Sequence, residues 1–304
     1  MRVVALAGGT GSAKLVRGLA KVSPGLTVIG NPGDNVWMHG LYVCPDTDTA
    51  TYALSGIVDR GRGWGLAEDS FATLAQLEAL GEPSWFRLGD KDLATHIFRT
   101  ERLRVGWTLT EVSLELCKRL GLKERVIPAT DDHLETRIKT DEGEMNLQEF
   151  WVQRRAEPKV RGVLYQGAKR AHPTKQVAEA MRQADLVVIC PGNPVTSIGP
   201  ILAVGGMKQL LRKTRATVVA VSPMVGRAPF SGPAGMFMTA LGARPDSVGV
   251  AGLYAGVVER LFIHSRDSQL RQEIEDLGLK VVPTNTLMED EAAEVRLASE
   301  LTPR

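Results

Sequence analysis

The chain has 304 residues, 43% hydrophobic and 24% charged, enough apolar material for a large core and ordinary for a globular protein. Its 37 basic and 35 acidic side chains leave a net charge of +2, without the basic excess of a nucleic-acid binder. Cys44, Cys117 and Cys190 lack zinc-site spacing and cannot all pair, and no apolar run reaches the roughly 18–20 residues of a membrane span. A cytoplasmic protein with reduced thiols is expected, with neither nucleic acid nor membrane as partner.

Residues 3–7, Val-Val-Ala-Leu-Ala, form the first predicted strand and run into Gly8-Gly9-Thr10-Gly11-Ser12-Ala13-Lys14, followed by the helical spacing of Leu15, Leu19 and Ala20. Glycines there let backbone approach a phosphate, and a helix amino terminus offers amide groups and a partial positive charge. The run is not a dinucleotide fingerprint, because Lys14 stands at the third glycine, nor a Walker A loop, because Ala13 precedes Lys14 and Leu15 follows it. A plain strand-to-helix turn is the alternative. A second strand, 26–30, leads to Asn31-Pro32-Gly33-Asp34-Asn35. In an open parallel sheet ligands gather at the carboxyl ends of strands, so this loop should lie beside the first, with Asp34 ligating a metal or orienting a hydroxyl. Ordinary turn chemistry accounts for it equally well.

Cys44-Pro45-Asp46-Thr47-Asp48-Thr49 comes next. One of its carboxylates suits the N-cap of a helix over 49–58. The other is left over, and with Asp34 the set gives the hard oxygens that magnesium takes alongside substrate phosphates. In Gly89-Asp90-Lys91-Asp92-Leu93-Ala94-Thr95-His96, two acids flank a lysine at a predicted helix start. This is either a solvated first turn or a basic residue facing a phosphate or acidic group. Thr108-Leu109-Thr110-Glu111 is a capping-box start for a helix that Gly121 ends.

From about 125 to 164 the pattern changes to short polar strands, with 136–140 entering a hairpin turn at Asp141-Glu142-Gly143-Glu144. Strand 186–190 opens into Pro191-Gly192-Asn193-Pro194-Val195-Thr196-Ser197-Ile198-Gly199-Pro200, a rigid, donor-rich loop suited to a second anion or nucleoside cradle. Strand 217–222 is followed by Ser222-Pro223-Met224-Val225-Gly226 and Ser231-Gly232-Pro233-Ala234-Gly235, and a last strand is expected at 279–282. The pattern predicts an α/β fold: a Rossmann-like, mostly parallel sheet with helices on both faces, in one domain over 1–304. A mostly helical insertion is expected at about 49–121. His39, His96 and His133 show no metal-ligand spacing, and neither a Gly-x-Ser-x-Gly elbow nor His-Glu-x-x-His occurs.

In this order the motifs resemble the 2-phospho-L-lactate transferase family of coenzyme F420 biosynthesis. The matching stretches are Gly8 to Gly11, residues 31–40, Cys44 to Thr49, Arg62-Gly63-Trp64-Gly65, residues 88–96, Thr130-Asp131-Asp132, Gln148-Glu149-Phe150-Trp151 and residues 193–202. The resemblance implies transfer of a phospho-three-carbon-acid group, 2-phospho-L-lactate or a phosphoenolpyruvate or phosphoglycerate equivalent, from a guanosine-diphospho-activated donor. The acceptor is the ribityl hydroxyl of the deazaflavin FO, giving F420-0 or its dehydro form and GMP, with Mg2+ as cofactor in a homodimer. The guanine nucleotide is assigned to Gly8, Gly9, Thr10, Gly11, Lys14, Asn193, Ser197 and Gly199. FO is assigned to Asp48, Asp90, Lys91 and Trp64, the metal to Asp34, Asp46 and Asp48, and catalysis to Asp48 with Asp34. Asn35 and Gly192 depart from the Gly-Asp-Asp and Pro-Ser-Asn-Pro forms common in the family. The alternatives are a non-catalytic nucleotide-sugar-binding regulator on the same fold, and a dinucleotide-dependent oxidoreductase, which the missing fingerprint disfavours.

Overall fold

The computed structural model describes residues 1–226, 228, 229 and 232–302; Ser231, in one of the predicted loops, lies outside them. The chain begins with strand β1 (Val3–Ala7), helix α1 (Gly9–Val22) and β2 (Thr27–Gly30), then a small hairpin of β3 (Val36–Met38) and β4 (Leu41–Val43). Four helices follow, α2 (Pro45–Leu54), α3 (Ala72–Ala79), α4 (Asp90–Arg104) and α5 (Leu109–Arg119), before β5 (Arg125–Pro128). The predicted helical region is therefore the crossover that carries the chain from β2 to its parallel neighbour β5. Its first helix starts earlier than expected. Cys44 is the N-cap and Pro45 the first helical residue, so Asp46 and Asp48 both sit inside the first turn and neither caps. The capping box at Thr108 forms as predicted: Glu111 N donates to Thr108 Oγ1 at 3.2 Å and Thr108 N to the Glu111 carboxylate at 2.8 Å.

Next come β6 (Glu135–Thr140), β7 (Gly143–Asn146), a π-helical turn at Glu149–Gln153 and β8 (Val160–Gln166), the three strands forming an antiparallel sheet in the order β7-β6-β8. The second half alternates α6 (Lys175–Gln183), β9 (Leu186–Ile189), α7 (Gly199–Ala203), α8 (Met207–Lys213) and β10 (Thr217–Val221). After the two-residue strands β11 (Met224–Val225) and β12 (Ala228–Pro229), the chain completes the fold. Its last elements are α9 (Ala234–Ala240), α10 (Ser247–Tyr254), β13 (Arg260–His264), α11 (Arg271–Glu275), β14 (Lys280–Thr284) and α12 (Glu291–Leu301).

Seven strands form the central sheet in the order β14-β13-β10-β9-β1-β2-β5, and every neighbouring pair is parallel. Successive side chains of a strand point to opposite faces, which divides the core in two. Val4, Leu6, Ile29 and Ile189 pack on one face with Val177, Met181 and Val250 of α6 and α10. Val3, Ala5, Val28 and Val188 pack on the other with Leu15, Leu19, Leu297 and Leu301 of α1 and α12. Burial on both faces explains why β1, β2 and β9 read as unbroken apolar runs. Leu6 is paired with Ile29 on one side and Ile189 on the other, which brings the carboxyl ends of all three strands level.

Candidate active site

The chain leaves β1 for β2 on one side of the sheet and returns to fill β9 on the other. The crevice outside the carboxyl ends of β1 and β9 is therefore the switch point where open α/β sheets bind ligands. A cleft of about 360 Å³ opens there, lined by Gly8 to Gly11, Pro191 to Asn193, Thr196 and Ser197, with Asp34 and Asp46 at its floor. Asn31 joins its walls: its side chain donates to Asp46 Oδ2 at 2.9 Å and to the Thr196 carbonyl at 3.1 Å, and accepts from Gly33 N at 2.7 Å. Asp46 Oδ1 accepts from Gly9 N at 2.8 Å, at the start of α1. Asn193 Oδ1 ties its own loop by accepting from the amides of Val195 and Thr196 at 3.0 and 3.2 Å. A Cβ at Gly192 would stand 2.5 Å from the Gly8 carbonyl, so the side chain common in the family has no room in this arrangement.

The electrostatics of this cleft are one-sided. Burial pushes the Asp46 carboxyl up to about 6 against hydrogen bonds from Asn31 and Gly9. Burial and then the Asp46 charge raise Asp34 well above the carboxylate range, and Asp34 Oδ1 is buried without a hydrogen-bond partner. No lysine or arginine lines the cleft among the described residues.

A second cavity of about 580 Å³ adjoins it, walled by Val43, Trp64, Trp85, Phe86, Trp151 and Val152. Arg62 stacks 5.1 Å from the Trp64 ring centroid. The polar end of this cavity is built from one side of α2 and one face of α4: Asp48, Tyr52, Asp92 and His96. Arg99 donates to Asp48 Oδ1, and Tyr52 Oη donates to Asp92 Oδ1 at 2.7 Å. His96 lies between the carboxylates, Nδ1 3.7 Å from Asp48 and Nε2 3.3 Å from Asp92. Burial raises Asp48 and outweighs the opposing charge of Arg99. For Asp92 burial acts the same way, but the neighbouring His96 and the hydrogen bond from Tyr52 hold it below its ordinary value. Gln148 and Trp151 line both cavities and stand at their junction.

A family model described as 2-phospho-L-lactate transferase CofD matches residues 3–298. The chain belongs to this family. A 2-phospho-L-lactate transferase of Methanopyrus kandleri is 43% identical over 305 residues, covering 99% of this chain and 96% of that protein. A phosphoenolpyruvate transferase of Streptomyces griseus is 39% identical and covers 98% and 96%. In fold, a UPF0052 family member from Bacillus halodurans superposes with a TM-score of 0.68 at 16% identity over 99% of this chain and 98% of that one. This CofD-family chain is accordingly a transferase with a predominantly parallel α/β sheet. No helix among its described residues is long and apolar enough to cross a membrane.

Within the CofD-family frame, the structure gathers Gly8, Gly9, Thr10, Gly11, Asn193 and Ser197 at one cleft, as expected, and Asp48 with Trp64 at the other. The three carboxylates assigned to the metal divide: Asp34 and Asp46 share the first cleft, whereas Asp48 faces the second and pairs with Arg99. Among the described residues no group of three His, Cys, Asp or Glu side chains is placed to hold a metal by itself. Four other assigned residues line neither cavity. Lys14 Nζ donates to the Met288 carbonyl at 3.0 Å. Gly199 packs under Tyr165, whose Oη a Cβ would meet at 2.1 Å. Asp90 accepts from Ser70 Oγ at 2.5 Å and from the amides of Ala72 and Thr73 at 2.9 Å, bonds that hold its carboxyl low and tie α4 to the start of α3. Lys91 Nζ reaches the Ala67 carbonyl at 3.3 Å. Sequence reasoning gave no site role to Gln148, Trp151, Tyr52, Asp92, His96 or Arg99. Asp92, His96 and Arg99 had a readable signal, since spacings of four and three put them on one helix face.

Proposed function

We propose that the chain transfers a phospho-three-carbon-acid group, 2-phospho-L-lactate or its enolpyruvate or glycerate equivalent, from a guanosine-diphospho-activated donor to FO. The observation that carries this reading is the meeting of two unlike cavities at Gln148 and Trp151. One is amide-lined and polar, at the switch point; the other is aromatic-walled with a carboxylate at its end. Two substrates that exchange a phosphoryl-linked group need such adjacent sites. Both volumes fall within the range of about 300–1,000 Å³ usual for small-molecule sites.

The donor cleft fits magnesium. It holds two carboxylates, a buried Asp34 with an unpartnered oxygen and a half-buried Asp46, and lacks a basic side chain among its described residues, so a polyphosphate there needs a counter-charge. Asp34 and Asp46 would hold the ion, which when bound supplies positive charge to the phosphoryl oxygens. The first turn of α1 presents its amide end to the nucleotide phosphates, and the 193–197 loop closes over them. The deazaflavin ring lies among Trp64, Trp85, Phe86 and Trp151, with its ribityl chain directed to Asp48. The Asp48 carboxylate accepts the hydrogen bond of the attacking hydroxyl. It takes the proton as that oxygen bonds to the phosphorus bearing the acid, the bond to the guanosine monophosphate oxygen breaks, and GMP leaves. The enzyme is proposed to act as a homodimer in the cytoplasm.

Melting shifts with separate ligands test the reading. FO and GDP should each stabilise the protein, and NAD and nucleotide-sugars should not. Stabilisation by a nucleotide-sugar alone would move the reading to the regulatory alternative.

A further inference from the structure

Arg99 is among the largest fully buried side chains in the molecule, at 1% exposure, and it stands directly behind the polar end of the aromatic cavity. We propose that Arg99 is a positioning residue for the transfer: through its bond to Oδ1 it fixes the orientation of the Asp48 carboxylate at the end of the cavity that takes the second substrate. The proposal rests on reading that cavity as the acceptor site.

Three contacts of the guanidinium carry it. Arg99 donates to Asp48 Oδ1, and its Nη1 donates to the Tyr42 carbonyl of β4 at 3.0 Å and lies 3.1 Å from His96 Nδ1. A guanidinium has no acceptor, so His96 Nδ1 must accept and the imidazole proton must sit on Nε2, which faces Asp92 Oδ1 at 3.3 Å. One rigid fork therefore sets both the Asp48 rotamer and the His96 tautomer. The helix that carries Arg99 is anchored to the same strand, because Tyr42 N donates to Thr100 Oγ1 at 2.9 Å.

The consequence shows in what stays unsatisfied. Asp48 Oδ2 is buried without a hydrogen-bond partner, and among the described carboxylates that line this cavity it is the only oxygen in that state. A buried ion pair is often no more stabilising than apolar residues of the same volume, so stability alone gives little reason for Arg99 here. An unpartnered buried acceptor is costly in the empty protein, and a hydroxyl donor brought to the Asp48 carboxylate would relieve that cost. Because His96 holds its proton on the far nitrogen, it does not compete for that oxygen.

The test compares Arg99→Lys and Arg99→Met, each alone and combined with Asp48→Asn, measuring kcat, KM for FO, KM for the guanylylated donor, and melting temperature. Arg99→Lys keeps the charge and loses the fork, and kcat should fall by roughly tenfold or more; Arg99→Met should lose about a hundredfold, the scale of a misplaced reacting group. Donor KM should stay within about twofold of wild type, since the donor cleft is built from other residues. In the Asp48→Asn background, Arg99→Met should remove no further turnover, because residues acting as one unit are not additive. Equal losses in both backgrounds, or donor and FO KM rising together, would overturn the positioning role and leave a structural one. If Arg99→Met does not fold, Arg99→Lys decides: wild-type kcat in that variant overturns the proposal. Failure of the wild type to turn over FO would instead remove the acceptor reading, and the positioning role with it.

Discussion

Asp34→Asn separates function from stability in the donor cleft, because the same carboxylate should weaken the metal-free protein and be required for turnover. Asp34 is 8% exposed, its Oδ1 has no hydrogen-bond partner, and burial and the Asp46 charge raise its pKa well above the usual range. Leaving a buried polar group unsatisfied costs about 1–3 kcal/mol, and more when it is charged. Asparagine keeps the shape, drops the charge and offers a donor to Thr136 Oγ1, itself buried and unpartnered. At about 2–4 °C per kcal/mol for a large domain, the variant should melt roughly 2–12 °C higher in EDTA near pH 8. The sign of the pH dependence follows from linkage. A carboxyl whose folded pKa lies above its unfolded value binds more protons when folded, so wild-type stability falls as pH rises from about 4 through the folded pKa. The advantage of the variant should therefore be small in acid and grow toward about pH 8. Magnesium should raise the melting temperature of the wild type and barely move the variant, while GMP release falls by about a hundredfold or more. Scanning fluorimetry across pH, with and without magnesium, reads the melting shifts, and a product assay reads GMP release. A variant that melts lower than wild type in EDTA near pH 8, or that keeps wild-type turnover, would refute the reasoning.

Asp48→Asn should fold and lose turnover by about a hundredfold, measured as product formation; near-normal turnover at sub-saturating magnesium would reduce Asp48 to a structural partner of Arg99. Gly11→Val puts a Cβ 2.9 Å from the Pro191 carbonyl and so should displace the donor-cleft loop. Calorimetry should show GDP binding weakened by about tenfold or more and FO binding changed by less than about twofold; equal loss of both would contradict the division of the two cavities. Sedimentation at micromolar concentration should give a dimer, and a monomer alone would remove that proposal.

Much of the scaffold was legible because burial on both faces writes itself into sequence. Residues 3–7, 26–30, 186–190 and 217–222 are nearly continuous apolar runs, and each is a central strand within a residue of its predicted end. The strands missed carry weaker signals. Arg125–Pro128 has two apolar residues between an arginine and a proline, and Arg260–His264 is a three-residue apolar core flanked by charge-bearing side chains. The site was legible where backbone chemistry makes it: the glycines after β1 and the Asn193 loop lie where strand order placed them. It was illegible where long-range pairing decides. Asp46, Asp48, Asp90 and Asp92 look alike in sequence, but their partners differ: Asn31 and Gly9, Arg99, the first turn of α3, and Tyr52. Only those partners separate a carboxylate of the first cleft from one of the aromatic cavity and from a helix tie.

The most direct measurement mixes the purified protein with FO, Mg2+ and each guanosine-diphospho-activated donor in turn, lactyl, enolpyruvyl and glyceryl, and follows products by mass. The account predicts that at least one donor gives F420-0 or its dehydro or glyceryl counterpart in a one-to-one ratio with GMP, and that EDTA stops both. Release of GMP with FO unchanged, or no reaction with any of the three donors, would contradict it.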